Sequence, residues 1–137
     1  MSQMKKYETE TDIANEQEAG ALLRQLGYEV VALGGFSCAD FIARKQNTLR
    51  LIEFKVRNHQ SGKFPNCYIP HTKVQHMLDV ARLIGAEPIY IARFEDGYYW
   101  CDLRSRYDLE VVARKDRPKD GGFLMACYDL VNFRRVV

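Results

Sequence analysis

No run of apolar residues in this chain is long enough to cross a bilayer as a helix, and the opening MSQMKKYETETD lacks the apolar segment of a secretory signal. No membrane partner is expected, and the cytoplasm is the expected location. Cysteine is sparse as well. Cys38, Cys67, Cys101 and Cys127 stand far apart, form no CxxC pair and join no Cys/His cluster, which excludes the usual spacings of zinc and iron–sulfur sites. Reduced, mostly buried thiols are the expectation. The three histidines, His59, His71 and His76, have no metal or nucleophile partner at a telling spacing. Nor is one sign of charge in excess, since a net charge of +2 does not identify a polyanion partner by itself. Internal repeats and low-complexity segments are also missing.

What is present describes an ordinary globule: 137 residues, 47% hydrophobic and 28% charged, enough for one domain to bury a core without disulfides. Residues 1–8 are polar and expected to fray. A helix should start at Thr11 or Asp12 and run through IANEQEAGALLRQLG to Gly27, with Ala19, Leu22, Leu23 and Leu26 at helical spacing. YEVVAL, ADFIARK and LRLIEFKVR read as three successive strands, separated by a GGFS turn and by a bend at Gln46, Asn47 and Thr48. NHQSGKFPNCYIPH, residues 58–71, reads as a long surface loop. Thr72 then opens a second helix whose Val74, Met77, Leu78 and Ala81 form one apolar stripe before Gly85 and Pro88 stop it. EPIYIARF is apolar enough for a central strand, and YYWCDL and FLMACYDLVNF add strands on either side of a basic turn at RKDRPKDGG. The expected fold is α/β: a mixed central sheet flanked by helices, with extra strands over residues 95–137.

The unusual feature is charge inside strands. An isolated charge on a half-buried strand costs roughly several kcal/mol unless it is paired, hydrogen-bonded or bound to a metal. In IEFKV, Glu53 and Lys55 point to one face while Ile52, Phe54 and Val56 point to the other. If Asn47 and Thr48 are the central residues of a tight hairpin, Asp40 falls opposite Lys55 and Ile42 opposite Glu53, so Asp40, Glu53 and Lys55 share a face. Two carboxylates that close repel each other unless one is protonated or a cation lies between them. Oxygen donors without His or Cys favour magnesium or manganese over zinc, and such an ion supports phosphodiester hydrolysis. The same triplet would also suit an exposed hairpin with an Asp/Lys cross-strand pair. A third acid, Glu16, shares the first helix's apolar face with Ala19, Leu23 and Leu26 and should point at the sheet. Glu18 is its alternative, otherwise a solvated surface residue.

A helix acid, then Asp40, then Glu53-x-Lys55, with twelve residues between the two strand acids, resembles the PD-(D/E)XK nuclease superfamily. NEQEAGALLRQLGYEVV, SCADFIARK, LRLIEFKVR and HTKVQHMLDVARLIGAEPIYIARF are similar to segments of archaeal-type Holliday-junction resolvases and of small phage or restriction-type nucleases. Ala39 stands where the family often has proline. The resemblance covers roughly residues 12–94 and implies a restriction-endonuclease-like core, an endonuclease acting on duplex or branched DNA, and Mg2+ or Mn2+ as cofactor. It selects Glu16 as the helix acid, makes Asp40, Glu53 and the Phe54 carbonyl the metal ligands, and makes Lys55 the group that orients water and offsets developing charge. It also implies an assisting residue on the following helix, for which Gln75 and Lys73 are candidates; Thr72-x-x-Gln75 equally has the form of a capping box.

Cations gather at residues 44–73, and among them Arg57, Lys63 and Lys73 are the candidates for contacts to nucleic acid. Loop residues His59, Lys63, Phe64, Tyr68 and His71 mix cations with aromatics suited to phosphates and bases, although each aromatic could equally anchor its own loop. A homodimer making paired cuts accords with the resolvase resemblance. Two alternatives remain at this stage: a restriction-like or nicking nuclease of a phage or mobile element, and a catalytically inactive nucleic-acid-binding subunit.

Overall fold

The computed structural model describes residues 10–34, 38–113 and 122–136. The expected frayed tail, the GGFS turn after its first glycine and nearly all of the basic RKDRPKDGG turn lie outside the described residues.

Helix α1, Glu10–Gln25, carries Glu10 and Asp12 in its first turn and Arg24 in its last, the arrangement that complements a helix dipole. Gly27 ends it in the left-handed region at φ 95°, letting the Tyr28 N–H reach back to the Leu23 carbonyl at 3.0 Å. Strands β1 (Glu29–Ala32), β2 (Phe41–Lys45) and β3 (Thr48–Val56) follow as an antiparallel meander. The β2–β3 hairpin differs from the expected one. Lys45 pairs with Thr48, so the turn residues are Gln46 and Asn47, with Gln46 in the left-handed region at φ 55°. The turn has the expected two residues but sits one residue earlier, so each cross-strand partner moves by two, which preserves every side chain's face and changes its partner.

After β3 the chain makes a second correction. The stretch read as one loop contains β4, Asn66–Pro70, with Cys67 and Ile69 buried on alternate positions. Helix α2, His71–Ile84, then starts directly after Pro70, which occupies the cap position without a side-chain cap bond. Thr72 therefore sits inside the first turn, and the capping box is not formed. Gly85, at φ 70°, ends α2 by donating to the Ala81 carbonyl. Strands β5 (Glu87–Phe94) and β6 (Gly97–Asp102) form a hairpin, β7 (Asp108–Val112) and β8 (Phe123–Asp129) pair with each other, and a 3-10 turn at Leu130–Asn132 leads into β9, Arg134–Arg135.

The result is α/β. A mixed six-stranded sheet runs in the order β1-β2-β3-β5-β6-β9, with β3 and β5 its parallel pair, joined by a crossover through β4 and α2. Helix α1 covers one face, where Ala19 and Leu23 pack with Phe41, Ala43, Ile52, Phe54, Ile89 and Ile91. The other face takes α2 through Val74, Met77 and Ala81, together with a small antiparallel sheet ordered β4-β8-β7. The extra C-terminal strands thus divide between the two sheets. All four cysteines are free thiols, three of them buried. Among the described residues no helix is long and apolar enough to cross a membrane.

The segment leaving β3 is tied to the β5–β6 turn. The Asp96 carboxylate accepts the Ser61 N–H at 2.7 Å, the Ser61 hydroxyl at 2.6 Å and the Tyr99 hydroxyl at 2.9 Å. These donors, Ser61 first, hold its pKa down at about 2. Because the folded value lies below the unfolded one, this stabilisation is complete above pH 4 or so and is lost as pH falls through the folded value. Melting temperature measured across that range should fall with acid more steeply for the native chain than for Asp96→Asn. Parallel curves would show that the tie contributes nothing.

Candidate active site

Strand β2 begins at Phe41, opposite Ile52, while β3 continues to Val56, so from Glu53 onward no strand among the described residues lies beside the β2-side edge of β3. Asp40 fills the first part of that gap. Its N–H donates to the Ile52 carbonyl at 2.9 Å and its carboxylate accepts the Phe54 N–H at 2.8 Å. A strand residue sends N–H and C=O to the same side, so the Phe54 carbonyl is directed along this open edge too. The shifted hairpin register has a chemical consequence here: Asp40 comes beside Glu53, and not opposite Lys55 as a turn at Asn47–Thr48 would have it.

Asp40 and Glu53 are only 3% and 5% exposed. Burial, followed by a hydrogen bond to Asp40 and that residue's charge, pushes the Glu53 carboxyl up to about 8. Lys73, from the first turn of α2, reaches the Glu53 carboxylate as an ion pair and works in the opposite direction. Lys55 projects from the same face as Glu53, two residues along, and is exposed. Tyr90, the register partner of Glu53 on β5, lies buried beside it. It carries no sequence signal beyond the alternation of EPIYIARF.

Glu16 is half-buried one turn before Ala19 and Gly20. A Cβ on Gly20 would meet the Phe41 ring at 3.4 Å, whereas Lys45 at the far end of β2 donates to the Leu26 carbonyl at 2.7 Å. Helix α1 therefore runs alongside β2, and one turn of about 5.4 Å carries Glu16 past Phe41 to the Asp40 end. Among the described residues no three His, Cys, Asp or Glu side chains gather closely enough to hold one ion. Glu18 faces elsewhere, accepting from Arg93 at 2.8 Å and Tyr98 at 2.6 Å.

Two further candidates have partners away from the acidic pair. Gln75 directs its amide to the Tyr107 hydroxyl at 3.1 Å and the His71 ring at 3.2 Å, which places it on the Tyr107 side of α2. Arg57 turns inward, donating to the Tyr68 carbonyl at 2.9 Å and the Tyr90 hydroxyl at 2.7 Å, so it ties β4 to β5. Lys63 is exposed, with Nζ 5.4 Å from the Phe64 ring centre.

Two facing oxygen donors, one forced toward its neutral form by burial and a like-charged neighbour, fit a small hard dication. The backbone carbonyl at the open edge fits the same class of ion.

A family model described as "Phage putative PDDEXK endonuclease" matches residues 2–136. A UPF0102 protein of Cytophaga hutchinsonii is 28% identical over 109 residues, covering 77% of this chain and 87% of that protein. Among solved structures, a Holliday junction resolvase of Archaeoglobus fulgidus superposes with a TM-score of 0.67 at 18% identity, over 90% of each chain.

Replacing Arg57 by Met leaves the Tyr90 hydroxyl and the Tyr68 carbonyl without their donor, and a loss of about 2–4 kcal/mol in denaturant unfolding is expected. An unchanged midpoint would return Arg57 to the list of surface cations. For the acidic pair, carboxyl-carbon NMR of the metal-free chain should show Glu53 titrating at lower pH in Asp40→Asn. The shift should be incomplete, because burial persists.

Proposed function

The chain belongs to this family of phage PDDEXK endonucleases, and from that membership we propose a divalent-metal-dependent enzyme that hydrolyses phosphodiester bonds in DNA. The observation that carries the proposal is the buried Asp40–Glu53 pair at the open edge of β3, with Lys55 exposed on the same face. In this proposal Asp40, Glu53 and the Phe54 carbonyl hold Mg2+ or Mn2+. When bound, such an ion supplies charge neutralisation at the phosphate and acidifies water. The Lys55 ammonium, which has donors and no acceptor, orients the attacking water and offsets charge developing on the phosphate oxygens. Glu16, from the middle of α1, positions a ligand water. Lys73 balances Glu53 and, with Lys63, offers contacts to neighbouring phosphates. In the reaction the water oxygen bonds to phosphorus, the bond to one ester oxygen breaks, and the proton lost by water is balanced by one taken up at the departing sugar oxygen. The products are a phosphate monoester and a hydroxyl.

The superposed archaeal structure is of a Holliday junction resolvase, which makes branched DNA the substrate to try first. Two copies acting together would supply the paired cuts a four-way junction requires. A restriction-like or nicking enzyme would instead prefer one duplex sequence.

Linear duplex, single-stranded and four-way-junction DNA are incubated with the purified protein in Mg2+, Mn2+ or EDTA. Cleavage should require the ion and fall by about 100-fold or more in Asp40→Asn and Lys55→Ala. Persistence of cleavage in EDTA and in both variants would refute the mechanism; absence of cleavage on every substrate would favour a binding subunit.

A further inference from the structure

Phe64 is a large apolar side chain left 49% exposed on a segment that is otherwise firmly held. Residues 58–65 leave β3 just beyond Lys55 and Arg57. The His59 carbonyl accepts the Glu95 N–H at 3.0 Å, Ser61 donates twice to Asp96, and the Pro65 carbonyl accepts the Leu130 N–H at 2.9 Å. None of these ties uses the Phe64 ring, so the ring is not what anchors the loop. It is supported from beneath instead. His59 meets it edge-on with ring centres 5.0 Å apart and rests in turn 5.4 Å from the buried Phe94.

The surroundings are apolar and cationic together. The Leu130–Pro65 bond brings the 3-10 turn alongside, with Val131 81% exposed, and exposed Arg135 follows in β9 on the Tyr99 face of the sheet. Arg135 is held there by donating to the Asp96 carbonyl at 2.8 Å and lying over the Tyr99 ring at 5.8 Å. Gly97, at φ 142°, admits this approach, since a Cβ would come within 3.0 Å of the guanidinium. Lys63 adds its ammonium beside Phe64. This surface lies at the carboxyl ends of β3 and β5, the end toward which β3 runs from Glu53 to Lys55. A flat hydrophobic face ringed by cations suits a nucleobase whose own strand carries phosphates on either side.

We infer that Phe64, with His59 as its support and Lys63 and Arg135 as phosphate contacts, is a stacking platform for an unpaired base next to the cleaved phosphate. The platform favours forked or branched DNA over continuous duplex. The C-terminal segment from Leu130 to Arg135 thereby acquires a role in choosing substrate. This inference rests on the nuclease proposal and deepens it.

The test uses a splayed fork and a continuous duplex, each carrying 2-aminopurine at the junction position, bound in EDTA so that the strands stay intact. Binding of the fork by the native chain should raise 2-aminopurine fluorescence. Phe64→Ala should abolish that rise and weaken fork binding by about 5- to 100-fold while duplex binding changes little. Phe64→Trp should keep both the signal and the preference, and Phe64→Leu, which retains apolar bulk without a flat face, should lose them. Melting curves establish that each variant is folded. If Phe64→Ala binds the fork with native affinity and signal, the platform is refuted. A variant that changes only self-association in sizing chromatography would refute it too, in favour of a contact between proteins. The cleavage assay on the same preparations separates the two failures: an active native chain with an indifferent Phe64→Ala removes only the platform, whereas a native chain that neither binds nor cuts removes the nuclease proposal as well.

Discussion

Asp40 and Glu53 meet where β2 stops and β3 runs on, and their repulsion in a nearly dry setting is the constraint on which that end of the molecule depends. Two carboxylates cannot both stay ionised there without compensation. Lys73 supplies part of it from α2, and the Phe54 N–H supplies more to Asp40. The rest is left to a shared proton or to a bound cation. A pair that only held the fold together would gain by replacement with apolar residues of similar volume. Its burial is therefore a cost to the fold, and the proposed dication site supplies a reason for it.

The fold is arranged to keep that pair in place. The parallel β3–β5 step requires a crossover, and the crossover delivers both β4 and the first turn of α2, with Lys73, over the face that carries Glu53 and Lys55. On the opposite face α1 runs along β2 closely enough that Gly20 faces the Phe41 ring, which carries Glu16 past the start of that strand. Arg57 and Tyr90 brace the same region from within. In the proposed site Glu16 comes from α1, Asp40 from the residue that leads into β2, Glu53 and Lys55 from β3 and Lys73 from α2, each set by backbone pairing or helix packing, as holding a metal and a phosphate in register would require.

Local pattern made a large part of this legible. Alternation in IEFKV put Glu53 and Lys55 on one face, and helical spacing put Glu16 on the buried side of α1. What was misread depended on distant partners. β4 was hidden because Asn66–Pro70 pairs with β8, whose residues lie far along the chain, and two prolines and a glycine dominate its local signal. Gln75 fitted a capping box by spacing, but the helix cap falls at Pro70, two residues before Thr72, and Tyr107 takes the amide. Arg57 looked like any cation in a basic stretch until Tyr90 and the Tyr68 carbonyl were brought to it.

The sequence by itself determined the chemistry available: carboxylates and an ammonium at strand spacing, a helix acid, and an α/β order of elements, all of which follow from short-range periodicity. The tertiary structure alone decided which of those groups meet. A two-residue turn at Gln46–Asn47 selected Glu53 over Lys55 as the neighbour of Asp40, and folding of the C-terminal segment onto β6 brought Arg135 to the same end as Phe64. Such meetings depend on register and long-range pairing, which are settled by the packing of whole faces against one another and leave little trace in any one stretch of chain.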